Sequence, residues 1–314
     1  MAKEKNFVSA VIYIHNAEKR INKYLTSLVE TLENNFEHSE IICVNDCSCD
    51  SSVSIIKEVS KKAVSTSVSI LHMSHYHGLE MAMNAGVDLA IGDFVFEFDT
   101  TFLDYDSREI MSVYKKSLEG YDIVSASPMR TQKITSQMFY KIYQRFAKIS
   151  YEMQTESFRI LSRRVINRIN SMHKEIPYRK AVYYNCGLKT IVMKYEEKKQ
   201  EGMNGCKASK EEEKYRRRLA VDTLILFTDL GYRFSIGMAI FMVFVAVFML
   251  IYSCVVYIMS TPVAGWTTTI LFLSIAFFGL FVIFTIVIKY LQILVDLLYR
   301  RKRYSFEGIE KLTK

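Results

Sequence analysis

Apolar positions along this chain change their period from one region to the next, and each period predicts a different kind of element. Over the first 130 residues short apolar runs alternate with stretches where apolar residues recur every three or four positions. Phe7 to Ile14, Glu40 to Val44, Val68 to Met73, Phe94 to Phe98 and Ile123 to Ser127 read as strands, rich in Val, Ile and Phe. Between them, Ile21, Tyr24, Leu25, Leu28, Val29 and Leu32 share one helical face. Ile55, Ile56 and Val59 mark a second helix, and Gly78 to Ile91 and Ser107 to Leu118 read as two more. Asp50, Ser51, Ser52 and Asp106 offer capping side chains at helix starts. Farther on, Ile134 to Tyr151 and Ser162 to Met172 predict helices and Lys189 to Tyr195 a late strand, before a charged stretch from Glu196 to Lys214. Strands alternating with helices predict an α/β domain with a mostly parallel sheet covered on both faces. Ligands bind such sheets at the carboxyl ends of the strands, which here are His15–Asn16, Asn45–Asp46 and Asp99–Thr101.

The pattern then changes to two unbroken apolar runs, Ile236 to Met259 and Trp266 to Ile288, with no charged residue between Arg233 and Lys289. A helix of roughly 23 residues rising about 1.5 Å per residue crosses a hydrocarbon core of about 30 Å, so each run predicts a membrane span. Arg216, Arg217, Arg218 and Arg233 precede the first run, and Lys289 and Arg300 to Arg303 follow the second, while the link at 260–265 has no basic residue. Basic residues favour the cytoplasmic side, which predicts an inner-membrane hairpin with the domain and both termini cytoplasmic. Tyr215 to Leu230, basic and apolar together, suits a helix lying in the headgroup region. The expected organisation is a cytoplasmic domain over 1–214, a juxtamembrane helix over 215–233, a two-helix hairpin over 234–290 and a basic tail over 291–314.

The net charge of +8 gathers near the apolar runs, which points to anionic lipid headgroups rather than nucleic acid. No apolar targeting segment precedes the first strand. The six cysteines are scattered, as free thiols in a reducing compartment would be, and Cys47 and Cys49 lack the paired spacing of a structural zinc site. His72, His75 and His77 cluster after the third strand and read as surface histidines more readily than as metal ligands.

Val11 to Glu18, the turn Val44-Asn-Asp-Cys-Ser-Cys-Asp50, Gly78 with Asn84-Ala-Gly86, Ala90-Ile-Gly-Asp93 and Phe158-Arg-Ile-Leu-Ser-Arg163 follow one another in a recognisable order. Together with the two terminal runs they resemble the family 2 glycosyltransferases of GT-A fold, in the branch that acts on polyisoprenyl phosphates. The resemblance implies a nucleotide-sugar donor held by Asn16, Asp46, His75 and Asp99, with Asp46 accepting hydrogen bonds from a base. It also implies a divalent cation, Mg²⁺ or Mn²⁺, at Asp99. Asp99 and Arg159 become the catalytic candidates, and Arg159, Lys199 and Lys207 the candidates for lipid-phosphate or diphosphate contact. Where the family has D-x-D-x-Q, this chain reads Asp99-Thr-Thr101-Phe-Leu103, which removes two ligand positions. Ser157 stands where many members have Asp, and Asp104 and Asp106 read as solvent-facing, Asp106 as a helix cap.

The resulting expectation is a membrane-anchored, inverting transfer of sugar from a nucleotide donor to a polyprenyl phosphate, by a protein whose family suggests a homo-oligomer. Two alternatives remain open: a catalytically degenerate relative that binds partners in glycan assembly, and a transferase acting on a sugar hydroxyl. The last needs a base, for which Asp104 and Asp106 are the candidates.

Overall fold

The computed structural model describes residues 3–129, 155–171, 178–198 and 304–313, with scattered helical positions between 237 and 294. The chain divides into two compact units, Met1–Thr223 with Lys302–Lys314, and Leu224–Arg301.

The first unit is built on an eight-stranded sheet. Its strands are β1 (Val8–Ile14), β2 (Ser39–Asn45), β3 (Thr66–Met73), β4 (Phe94–Phe98), β5 (Ile123–Pro128), β6 (Phe158–Ser162), β7 (Thr190–Tyr195) and β8 (Phe306–Lys311), in the order β7-β5-β6-β4-β1-β2-β3-β8. The helices are α1 (Glu18–Asn35), α2 (Ser52–Ser60), α3 (Leu79–Leu89), α4 (Ser107–Leu118), α5 (Arg163–Ser171) and α6 (Arg179–Asn185). β1 pairs in parallel with β2 and β4, and β2 with β3, so four strands end on one edge. Strand order reverses between β1 and β4, which puts the crevice expected of such sheets between the loops after those two strands.

Burial explains why the strands were readable. Val8, Ala10, Val11, Ile12 and Ile14 are all buried, as are Ile41 to Val44, as expected for strands covered on both faces. α1 lays Ile21, Tyr24, Leu25, Leu28 and Leu32 into this core. Asp106 caps α4, accepting a hydrogen bond from the Arg108 N–H at 3.0 Å. Gly86 on α3 faces Val11 and Val44 so closely that any side chain there would overlap both.

Three elements depart from the sequence reading. β6 was visible as a motif but not as a strand; it inserts antiparallel between β4 and β5, with Arg159 opposite Glu97. α6 carries Arg179 and Lys180 at its start, charges that hid an otherwise apolar and aromatic helix. The end of the expected basic tail forms β8, antiparallel to β3, and covers what would otherwise be an open strand edge.

In the second unit every described position of the two apolar runs is helical, and a side chain at Gly279 would collide with Met242. The two helical stretches therefore touch at this point. Among the described residues no helix is long and apolar enough to cross a membrane. Most of both expected spans, the helix expected over 134–151 and the juxtamembrane helix over 215–230 lie outside the described residues.

Gly86→Ala tests the α3 packing. Overpacking costs about 1–3 kcal/mol and helix propensity returns at most about 1 kcal/mol, so urea unfolding of the variant should show a net loss of stability.

Candidate functional site

The loops after β1, β2 and β3 meet at one carboxylate. Asp46 is fully buried; its Oδ1 accepts the His77 N–H at 2.8 Å, and its Oδ2 accepts the Gly78 N–H at 2.8 Å and the Tyr13 hydroxyl at 3.0 Å. Burial, with Asp46 beside it, raises the Tyr13 phenol far above its ordinary range and keeps it a donor. The backbone carbonyl of Asp46 is 2.7 Å from His15 Nδ1. Asp46, the residue expected to meet a nucleotide base, fastens the turn at Gly78, whose φ of 83° suits glycine at the start of α3. A buried carboxylate needs its acceptor sites filled, and the nearest donors are backbone N–H groups.

Around that anchor lies a ring-lined rim. His15 and Tyr76 sit 4.8 Å apart between centroids, and His75 stacks on His77 at 3.9 Å. His75 and Tyr76 are exposed, and His15 and His77 are half-buried. Asn16 is exposed, adopts a φ of 48°, and its Oδ1 accepts the Cys49 N–H at 2.9 Å. Asparagine tolerates this left-handed backbone because its short polar side chain bonds locally. Asn16 therefore shapes the Cys47–Cys49 turn at the mouth of the rim.

Behind the end of β4 lies a buried network of charge. The Arg159 guanidinium donates to Glu156 Oε2 at 3.0 Å, Glu97 Oε2 at 2.8 Å and Asp99 Oδ2 at 2.8 Å. Arg179, with no exposed surface, donates through Nε to Glu80 Oε2 at 3.0 Å and through Nη2 to Asp99 Oδ1 at 2.7 Å. Its Nη1 lies 2.9 Å from Glu97 Oε1 as an ion pair whose angle is not that of a hydrogen bond. Tyr183 donates to Glu97 at 2.6 Å, Tyr184 to Glu156 at 2.9 Å, and Lys180 Nζ lies 3.2 Å from Glu156.

Burial alone would raise the carboxyls of Glu80, Asp99 and Glu156. For Asp99 the two arginines outweigh it and hold the group down at about 2, and for Glu156 the charges of Lys180 and Arg159 also win. At Glu80 burial prevails over Arg179, helped by the charge of Asp99, and its carboxyl is raised. Both arginines are held well above their ordinary range despite burial, since their carboxylate partners prevail.

This network gives Asp99 and Arg159 partners within the fold itself. Each Asp99 oxygen is bound by a guanidinium, Thr101 is buried and offers no carboxylate, and Leu103 has no donor atom. Among the described residues no group of three His, Cys, Asp or Glu side chains could hold a metal. Both Asp99 oxygens are held by guanidinium groups, so a Mg²⁺ or Mn²⁺ ion at this residue would have to share them with Arg159 and Arg179. Arg159, the residue expected at a phosphate, is 4% exposed, and its three nitrogens pair with Glu97, Asp99 and Glu156, bracing β4 and β6. Lys199 and Lys207 lie outside the described residues. Asp104, expected at the surface, is buried; its Oδ2 accepts the Ser157 hydroxyl at 3.0 Å, and Ser157 Oγ in turn receives the Tyr195 hydroxyl at 2.5 Å. Asp106 is half-buried and pairs with Lys198 at 2.8 Å.

Sequence reasoning missed Glu80, Glu97, Glu156, Arg179 and Lys180. A signal existed for two of them: Glu97 interrupts the apolar strand Phe94-Val-Phe-Glu-Phe98, and Arg179-Lys180 opens Ala-Val-Tyr-Tyr. A charge inside an otherwise buried element demands a partner.

A family model described as glycosyl transferase family 2 matches residues 9–172, just over half of the chain. The sheet, its crevice and this match define a sugar-transferase domain of GT-A type, and the chain belongs to glycosyl transferase family 2. It is 30% identical over 182 residues to an uncharacterized glycosyltransferase of Synechocystis, covering 56% of each chain. It is 28% identical over 195 residues to the prophage bactoprenol glucosyl transferase homolog of Escherichia coli K12, covering 60% of this chain and 62% of the relative. The chain thus matches about three fifths of these relatives' lengths. Among solved structures, the mannosyltransferase PcManGT of Pyrobaculum calidifontis, in complex with GDP-Man and Mn²⁺, aligns with a TM-score of 0.46 at 13% identity, over 95% of this chain and 89% of its own.

Two outcomes follow from the network. Arg179→Met leaves buried carboxylates uncompensated and should cost about 3–5 kcal/mol in urea unfolding, while adding Glu97→Gln should give a double variant less damaged than the sum of the two. In a manganese titration followed by electron paramagnetic resonance, wild type and Asp99→Asn should hold the same amount of Mn²⁺; a bound signal that disappears in Asp99→Asn would contradict the assignment.

Proposed function

We propose that this protein is a membrane-anchored, inverting glycosyltransferase that moves a sugar from a nucleotide donor to a polyprenyl phosphate at the cytoplasmic face of a membrane. The observation that carries the reading is the match to glycosyl transferase family 2 across the strands whose ends form the crevice. Relatives named bactoprenol glucosyl transferase support the acceptor class. The anchor is supported by the two apolar runs, in which the described helical positions Phe241, Phe244, Phe248, Leu273, Leu280 and Phe284 are all exposed. Large apolar side chains exposed along helices suit a lipid surface.

In this reading the base stacks at the rim formed by His15, His75 and Tyr76, of which His75 and Tyr76 are exposed. Stacking on rings is tolerant of base identity. A phosphate monoester is largely ionised near neutral pH, so the acceptor oxygen attacks the anomeric carbon without a strong base removing its proton. The nucleoside diphosphate leaves from the opposite face, which inverts the centre. A phosphate acceptor also suits a site where the Asp104 carboxylate is buried under Ser157 rather than poised as a base.

One observation favours a second reading, a non-catalytic relative that binds partners in glycan assembly: the commitment of both Asp99 oxygens to arginine. Reconstituted full-length protein, given undecaprenyl phosphate and a panel of UDP and GDP sugars, should yield a glycolipid visible by mass spectrometry. No product with wild type but product with a Thr101→Asp, Leu103→Gln variant would sink the first reading in favour of the second.

A further inference from the structure

β8 follows the second apolar run in the chain, yet the residue just before it touches the rim loop. The Ser305 N–H points to His77 Nε2 at 3.3 Å, and its hydroxyl lies 3.4 Å from the same atom. The Ser305 carbonyl accepts the Ser74 N–H at 3.3 Å and the Ser74 hydroxyl at 3.2 Å, and the two hydroxyls are 2.5 Å apart. On its other side the His77 ring places Nδ1 2.6 Å from the His75 carbonyl, which only accepts. Nδ1 must therefore carry the proton, and Nε2 is left as the acceptor for Ser305.

Ser305 is itself fixed from both directions along the chain. Before it, the Tyr304 hydroxyl donates to Asp88 on α3 at 2.9 Å. After it, β8 pairs with β3 from Phe306 onward, and Glu310 meets Lys57 at 2.8 Å and His72 Nε2 at 3.4 Å. His72 in turn faces Asn45 on β2 through Nδ1 at 3.2 Å. The loop from Ser74 to Gly78 is thus held from within, where Asp46 takes its backbone N–H groups, and from outside, where Ser305 takes its imidazole.

We propose that Ser305 is a positioning residue for donor binding: its backbone N–H, bonded to the acceptor nitrogen of His77, fixes the orientation of that ring, and through the stacked pair sets His75 at the rim. The inference rests on the reading that the donor base is taken at that rim. A strand serving only to close the sheet edge would need the ladder from Phe306 to Lys311, not the bond at His77. Proline at position 305 separates the two roles, because it removes one N–H just ahead of the ladder and leaves the carbonyl that Ser74 uses.

The test uses the full-length protein in detergent as wild type, Ser305→Pro and Ser305→Ala, with hydrogen exchange of the 74–78 and 306–311 amides and calorimetric titration of UDP and GDP. Ser305→Pro should exchange faster at 74–78 while 306–311 stays protected. It should bind whichever nucleotide the wild type prefers with affinity lower on the order of fivefold, the scale of one net hydrogen bond. Ser305→Ala keeps the N–H and should stay within about twofold of wild type. Unchanged exchange at 74–78, or loosened exchange with unchanged affinity, would overturn the positioning role while leaving the donor reading intact. A wild type that binds neither UDP nor GDP would overturn the donor reading and this role with it.

Discussion

The charges of Arg159 and Arg179 are buried beneath the end of β4, and the architecture around the crevice depends on their being met there. Removing a guanidinium from water costs several kcal/mol, which is recovered only where geometry is good and the remaining donors are filled. Here the fillers come from distant parts of the chain: Glu80 from α3, Glu97 and Asp99 from β4 and the residue after it, and Glu156 from just before β6. Glu97 is shared by both arginines and by Tyr183, and so fixes β6 and α6 against the same strand. A hydrophobic replacement could supply as much stability, but ion pairs of this geometry accept one arrangement, and the antiparallel insertion of β6 beside β4 is that arrangement.

The fold was legible because burial on both faces of a parallel sheet writes itself as apolar runs, and β4 and α4 stand as expected. The network was illegible for the converse reason. Its members lie between residues 80 and 180, and nothing local in sequence says which carboxylate meets which guanidinium. Asp46 shows the same limit on a smaller scale: a conspicuous polar residue at a strand end reads equally well as ligand contact or as turn fastener, and only the positions of the His77 and Gly78 N–H groups reveal the second role. β8 escaped because Glu307, Gly308 and Glu310 break up its apolar positions, as befits an edge strand facing water.

For the site, the outcome is a division of labour between two carboxylates that looked alike in the sequence. Asp46 builds the rim loop, and Asp99 locks the network by pairing with both arginines. What faces outward at the crevice is aromatic and imidazole surface. Recognition by stacking, wherever it operates, sets shape and polarisability above hydrogen-bond pattern.

β8 also carries a constraint on topology. The chain leaves the sheet after β7 and re-enters it at β8, on the opposite edge of the same sheet. Whatever path the intervening hundred or so residues take, they begin and end on one side of any bilayer they meet, because a single sheet cannot straddle a membrane that its loops traverse. If the chain between Tyr195 and Phe306 crosses a bilayer, it does so an even number of times, a parity set by strand pairing and independent of the basic residues that flank the apolar runs.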